Sequence, residues 1–249
     1  MVLSDAPMSK PDSDAGLFDI MYTCRAMRRL KPDPVPEPLL LQLVDAALQG
    51  PSGSNAQNWT FIIVRDRAQK EKIAAAWKPT WDFYLETFAR AEARPGEDLA
   101  ARERMIAVGT RMVTHMADVP AIFCIGVKRD EQLAKVLSSP ATLASAARHL
   151  GIGGTIKLVT NGTRTGAIAD GSTAYPAVQN FLLAARALGL GAVLTTPHFF
   201  VPGAFERVLG IPKTVTLAAI VPVGYPIGNF GPVKRPPASA VVSWDRYRA

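Results

Sequence analysis

The sequence predicts a layered protein of alternating helices and short buried strands, a mixed α/β or α+β arrangement. Two segments carry apolar residues at helical spacing: Leu40, Leu43, Val44 and Ala47, then Val178, Phe181, Leu182, Ala185 and Leu188. Three short apolar runs, 60–64, 120–127 and 214–225, have the length and flanks of strands. Gly, Pro, Asn or Ser punctuate the junctions, so helices and strands alternate and must stack as layers.

Bulk properties narrow the function classes. A chain of 249 residues, 48% hydrophobic and 20% charged, has the balance of a soluble globular domain with a sizeable core. No uninterrupted apolar run approaches the roughly 18–20 residues a membrane span needs. The net charge of +7 raises the question of nucleic acid. Its basic residues are scattered, however, and acids interleave with them between Glu86 and Arg104. With no aromatic-interleaved basic tract and no zinc spacing, a phosphorylated small molecule is the expected partner, not nucleic acid and not a membrane. Cys24 and Cys124 lie far apart in apolar-periodic segments, as buried thiols in a reducing, cytoplasmic compartment do.

Residues 1–16, with acids among Ser and Pro and neither a basic n-region nor an apolar h-region, are expected as a flexible arm. Residues 17–249 form a single domain. Leu17, Ile20, Met21, Cys24 and Met27 predict an amphipathic helix capped by Ser13 or Asp14. Arg25, Arg28 and Arg29 then share one face as a cationic patch suited either to phosphate or to the helix C-terminus. A proline-rich link, 31–38, leads into the helix carrying Leu40 to Ala47, which Gly50 and Pro51 stop. The stretch 51–59 is a helix-to-strand turn dense in Ser, Asn and Gln. Its polar groups satisfy their own backbone or face a flat, heteroatom-rich ligand.

Residues 67–118 read as helical, broken near Lys78-Pro79 and near Arg94-Pro95-Gly96. Trp77, Trp81, Phe83, Tyr84 and Phe88 cluster there, as core or interface residues ordinarily do, or as a substrate wall. Residues 128–172 are an excursion that is helical over 140–150 and then a flexible lid or plain surface loop. Gly151 to Thr155 lacks the Lys-Ser/Thr ending of a P-loop and the spacing of the dinucleotide fingerprint. The helix carrying Val178 to Leu188 ends at Gly189. A short strand and turn follow over 191–197, a small helix over 203–209, and a C-terminal arm over 231–249. In that arm Ala240, Val241 and Val242 suit an edge strand, one that another subunit's sheet can accept.

Four motifs in order resemble the flavin-dependent nitroreductase superfamily, which also holds the iodotyrosine deiodinases and flavin-consuming benzimidazole synthases. Cys24-Arg25-Ala26-Met27-Arg28-Arg29-Leu30 is similar to the family's Arg-Arg-Ser-x-Arg-x-Phe opening. Ala47 through Trp59 is similar to Ala-Pro-Ser-x-x-Asn-x-Gln-Pro-Trp. Gln179 through Pro197 is similar to its helix, Leu-Gly-Leu-Gly and Thr-Thr-Pro turn, and Lys234-Arg235-Pro236-Pro237 to its basic C-terminal site. Cys24 stands where the family has its first Arg, Ala26 where it has Ser, and Asn58 where it has Pro.

The resemblance implies a three-layer α-β-α fold of the α+β class, with a mostly antiparallel mixed sheet and a C-terminal strand exchanged in a homodimer. It implies FMN at the dimer interface. Arg25, Ala26, Arg28 and Arg235 would hold the phosphate and ribityl end. Ser52 and Asn55 would face the isoalloxazine, and Leu194, Thr195 and Thr196 would reach it from the partner chain. NAD(P)H would deliver hydride to the flavin, which passes it to an electron-poor small-molecule acceptor such as a nitroaromatic or quinone. Reductive dehalogenation, flavin fragmentation and non-catalytic flavin storage or sensing are the alternatives. No side chain is expected as catalytic: the chemistry belongs to the cofactor, and His115, His149 and His198 form no triad spacing.

Overall fold

The computed structural model describes residues 15–129, 135–136 and 139–247, the side chain of Thr163 apart. Its sheet is laid around β2 (Ala121–Lys128), whose first seven residues are all buried. β1 (Trp59–Val64) and β4 (Val215–Gly224) flank β2, and β3 (Gly191–Ala192) adds to β4, giving the order β1-β2-β4-β3. Every described pairing is antiparallel. The described helices are α1 (Leu17–Thr23), α2 (Glu37–Leu48), α3 (Arg67–Glu86), α4 (Leu99–Thr114), α5 (Pro140–Thr160), α6 (Gly162–Ala187) and α7 (Ala204–Leu209).

Side chains alternate across a strand, so β2 feeds two cores. Ala121, Phe123 and Ile125 pack with Leu40, Leu43 and Ala47 of α2 and Val178, Phe181 and Ala185 of α6. Phe123 and Phe181 meet edge to face at 4.7 Å. Ile122 and Cys124 point the other way, to Ile73 and Trp77 of α3, Met112 and Val113 of α4 and Phe205 of α7. With both faces covered, the strand reads as a continuous apolar run rather than an alternation. Each such side chain, fully buried, contributes about 1.5–3 kcal/mol. The result is a three-layer α-β-α sandwich of the α+β class.

Several expectations are revised. The first helix stops at Thr23, and Cys24 to Arg29 lie outside any helix, so Arg25, Arg28 and Arg29 share no helical face. Met27 is buried because its segment lies alongside β3, where its N–H donates to the Ala192 carbonyl at 3.0 Å. Gly191 makes the approach possible: a Cβ there would meet Leu30, Met27 and Pro226. α3 runs through Pro79 without a break. The helix expected over 140–150 is present but continues as α5 to Thr160 past a kink at Gly151 (φ 70°), and α6 begins at Gly162, so helix stands where a lid or loop was expected over 151–172. Ala240, Val241 and Val242 form no strand within the chain; Ala238–Ala240 is a 3-10 turn. The arm expected over 1–16 and its caps Ser13 and Asp14 lie, Ala15 and Gly16 excepted, outside the described residues.

Candidate functional site

A cavity of about 850 Å³ opens where the extended segment after α1, the C-terminal half of α6, the end of β3 and the C-terminal arm converge. Backbone hydrogen bonds fix that convergence. Lys31 N–H donates to the Tyr225 carbonyl, Ile227 N–H to Arg29, and Val233 N–H to Tyr22, at 2.8–3.0 Å. The arm therefore runs back along the arginine segment and brings Arg235 to Arg25. Four arginines line the cavity, Arg25, Arg28, Arg186 and Arg235, and among the described residues no acidic side chain does. None of the four takes part in an ion pair among the described residues. Burial pulls the Arg28 pKa below its ordinary value, with Tyr84 pushing the other way. A guanidinium remains charged regardless. Leu182, Leu190, Val193 and Leu194 supply an apolar wall.

Cations without protein counter-ions beside an apolar wall suit a flat ligand ending in phosphate. This donor set fits FMN. Arg25, Ala26, Arg28, Leu194 and Arg235 are brought together here. Thr195 and Thr196 line a smaller adjoining cavity of about 230 Å³, which also includes Arg28. Thr195 pairs backbone to backbone with Ile220, which fixes the turn at the end of β3. Within the chain, Leu194 lines the cavity of the four arginines, and Thr195 and Thr196 line the adjoining one beside Arg28.

Ser52 and Asn55 line neither cavity. Their loop is tied down at both ends. Gly53 N–H donates to Thr173 Oγ1 at 3.2 Å and Trp59 Nε1 to the Thr173 carbonyl at 3.0 Å. Ser52 Oγ accepts from Gln57 N–H, and Asn55 Oδ1 accepts from Gln57 Nε2. Ser54, Asn55 and Gln57 hold positive φ of 51°, 53° and 49°, a conformation L-residues rarely adopt. Asn58, in place of the family's Pro, donates from Nδ2 to the Lys128 carbonyl at 2.6 Å and pins the loop to β2.

The smaller cavity has an aromatic wall. Trp81 stacks on Tyr84 at 5.0 Å and Tyr84 on Phe88 at 5.9 Å, with Phe83 and Phe200 beside them. Trp81 Nε1 donates to Thr110 Oγ1, and the indole lies against Gly109. Of the five aromatics noted in the sequence, Trp77 is buried in the core beneath α3 and Trp81 packs against it; both also touch this cavity. Next to the Thr195-Thr196 turn, His198 is buried with neither ring nitrogen hydrogen-bonded, and Thr80 Oγ1 donates to the Pro197 carbonyl. Burial pushes the His198 pKa down to about 4, against Glu206 and the Leu217 backbone, which favour its charged form. The ring is neutral at pH 7.

Sequence reasoning missed Arg186 and Phe230. Gln179, Leu182 and Arg186 stand at i, i+3 and i+7 on α6, a second face beside the apolar stripe, and that spacing is where the signal lay. Cys24, expected to be buried, is half-exposed and lines the cavity, its Sγ donating to the Leu182 carbonyl at 3.6 Å. Burial raises its pKa, partly offset by Arg186. No described helix is long and apolar enough to cross a membrane.

The model of the nitroreductase family matches residues 23–225, and the chain belongs to that family. An NADH dehydrogenase of Thermus thermophilus is 29% identical over 220 residues, 88% of this chain and 91% of that one. The crystal structure of oxidized iodotyrosine deiodinase bound to FMN and 3-iodo-L-tyrosine has a TM-score of 0.62 at 22% identity, covering 93% of this chain and 100% of the other. The NADPH:FMN oxidoreductase of Vibrio harveyi, complexed with NAD+, has a TM-score of 0.59 at 16% identity, covering 94% and 78%. At these identities the two structures establish the shared fold.

Proposed function

We propose that the protein is an FMN-dependent oxidoreductase that takes reducing equivalents from NAD(P)H and passes them to an electron-poor small molecule such as a nitroaromatic or quinone. The observation that carries this is the cavity with four arginines, no lining acid among the described residues and an apolar wall, in a chain of the nitroreductase family. Bound FMN supplies the two-electron carrier. Arg25, Arg28 and Arg235 hold its phosphate and ribityl end, the Ala26 backbone lies beside them, and Leu194 offers an apolar surface to the ring. The turn at Thr195 and Thr196 borders both cavities' shared edge at Arg28. The aromatic cavity receives the acceptor, its stacked rings matching a flat π-system.

The site is completed in a homodimer. Ser52 and Asn55 lie outside their own chain's cavities, so they face the isoalloxazine bound by the partner. Leu150, Ile152, Ile156 and Val159 of α5 and Val241 and Trp244 of the arm are exposed apolar residues that a second copy covers. The unpaired Cys24 and Cys124 agree with a cytoplasmic location. Steady-state kinetics test the activity: parallel double-reciprocal lines for NADH or NADPH against a quinone are expected. Converging lines exclude the ping-pong order, and no turnover with either nucleotide excludes the reaction.

A further inference from the structure

We propose that Arg186 is a phosphate-binding residue, supplying from α6 the guanidinium that the Cys24 position lacks. This rests on the flavin reading above. Three observations carry it. First, Arg186 lines the same cavity as Arg25 and Arg235, although it comes from a distant part of the chain. Second, its side chain is held in place: Nε donates to Thr23 Oγ1 at 2.9 Å, and the guanidinium carbon lies 4.2 Å from the centroid of the Phe230 ring. Nε is therefore spent, the guanidinium rests over the ring, and the two terminal nitrogens are left to donate. A planar cation fixed in this way loses little freedom on binding an oxyanion, which is why such forks suit phosphate. Third, no carboxylate among the described residues pairs with it, so its charge is not spent on the fold.

Cys24 gives the position its logic. The thiol lines the same cavity; burial raises its pKa, and the nearby Arg186 charge only partly offsets this. On this proposal one cation beside residue 24 suffices, and its source, residue 24 or α6, is interchangeable.

The test compares FMN with riboflavin, which has the same ring and no phosphate, by fluorescence titration of the apoprotein. Arg186→Gln is expected to raise the FMN Kd at least about tenfold, the order expected for one lost charge-assisted hydrogen bond, and to leave riboflavin binding unchanged. Cys24→Arg in the same variant is expected to restore FMN affinity. A purely structural role would weaken both ligands alike. An Arg186→Gln protein in which FMN is unaffected, in which both ligands weaken by one factor, or which Cys24→Arg leaves as weak overturns the assignment. A wild-type protein that takes up riboflavin and FMN equally also overturns it, whereas one that binds neither overturns the flavin reading itself.

Discussion

Asn55 shows how much local cost the chain tolerates near its site. Three nearby non-glycine residues, Ser54, Asn55 and Gln57, hold left-handed backbone, and the surrounding anchors to Thr173 keep them there. Asn adopts this region more readily than Ala, and its amide bonds to Gln57. Asn55→Ala is therefore expected to destabilise the fold by about 1 kcal/mol in urea unfolding. If the loop serves the partner's flavin, the same change also weakens FMN binding. His198 makes a pH prediction. Its folded pKa is about 4 against the ordinary 6.5. Between those values the unfolded chain binds a proton that the folded chain refuses, so stability is undiminished above about pH 6.5 and falls as pH drops toward 4. At 1.36 kcal/mol per unit the loss is bounded by about 3 kcal/mol. Urea unfolding at pH 7.5 and 5 is expected to show this loss in the wild type and a smaller one in His198→Phe, whose ring suits the contacts with Phe199 and Phe205.

At the scale of elements, α3 and α4 build the aromatic cavity by a close contact. A Cβ at Gly109 would run into the Trp81 indole. Gly109→Ala is expected to displace the indole into the cavity, at about 1–3 kcal/mol of overpacking. It should raise KM for aromatic acceptors several-fold while FMN affinity stays unchanged; an unaltered KM would remove the acceptor from this cavity. What was legible in the sequence follows from where each pattern arises. Leu40, Leu43 and Ala47 bury one helical face, and β2 and β4 are covered on both sides, so local pattern and tertiary burial agree. Met27 misled because its burial comes from β3, 165 residues on, and only by chance fell in register with Ile20. Pro79 misled because a helix can lose one hydrogen bond where packing compensates: Trp77 is buried beside it and Thr80 bonds Pro197. The helix read over 140–150 is there, but at 151–172 weak apolar periodicity and many glycines hid the second half of α5 and the start of α6, where apolar residues such as Ile152, Ile156 and Ile168 remain exposed in the single chain. The arginines of the site were legible by type, but Arg186 joins them only through the fold.

For the whole molecule, the arm and α5 carry apolar residues that the chain itself does not bury. Trp244 is 76% exposed and Ile152 77%, a costly arrangement in water unless another surface covers them. Deleting residues 237–249 is expected to shift the dimer toward monomer in sedimentation and to lower flavin retention; a truncated protein that stays dimeric and yellow would remove the arm from the interface. The central claim is tested most directly by the absorbance spectrum of FMN-loaded protein under anaerobic titration with NADH and NADPH. Bleaching of the flavin band at one equivalent of either nucleotide, with recovery on adding a quinone or nitroaromatic, is the predicted result. A bound flavin that neither nucleotide bleaches would contradict it.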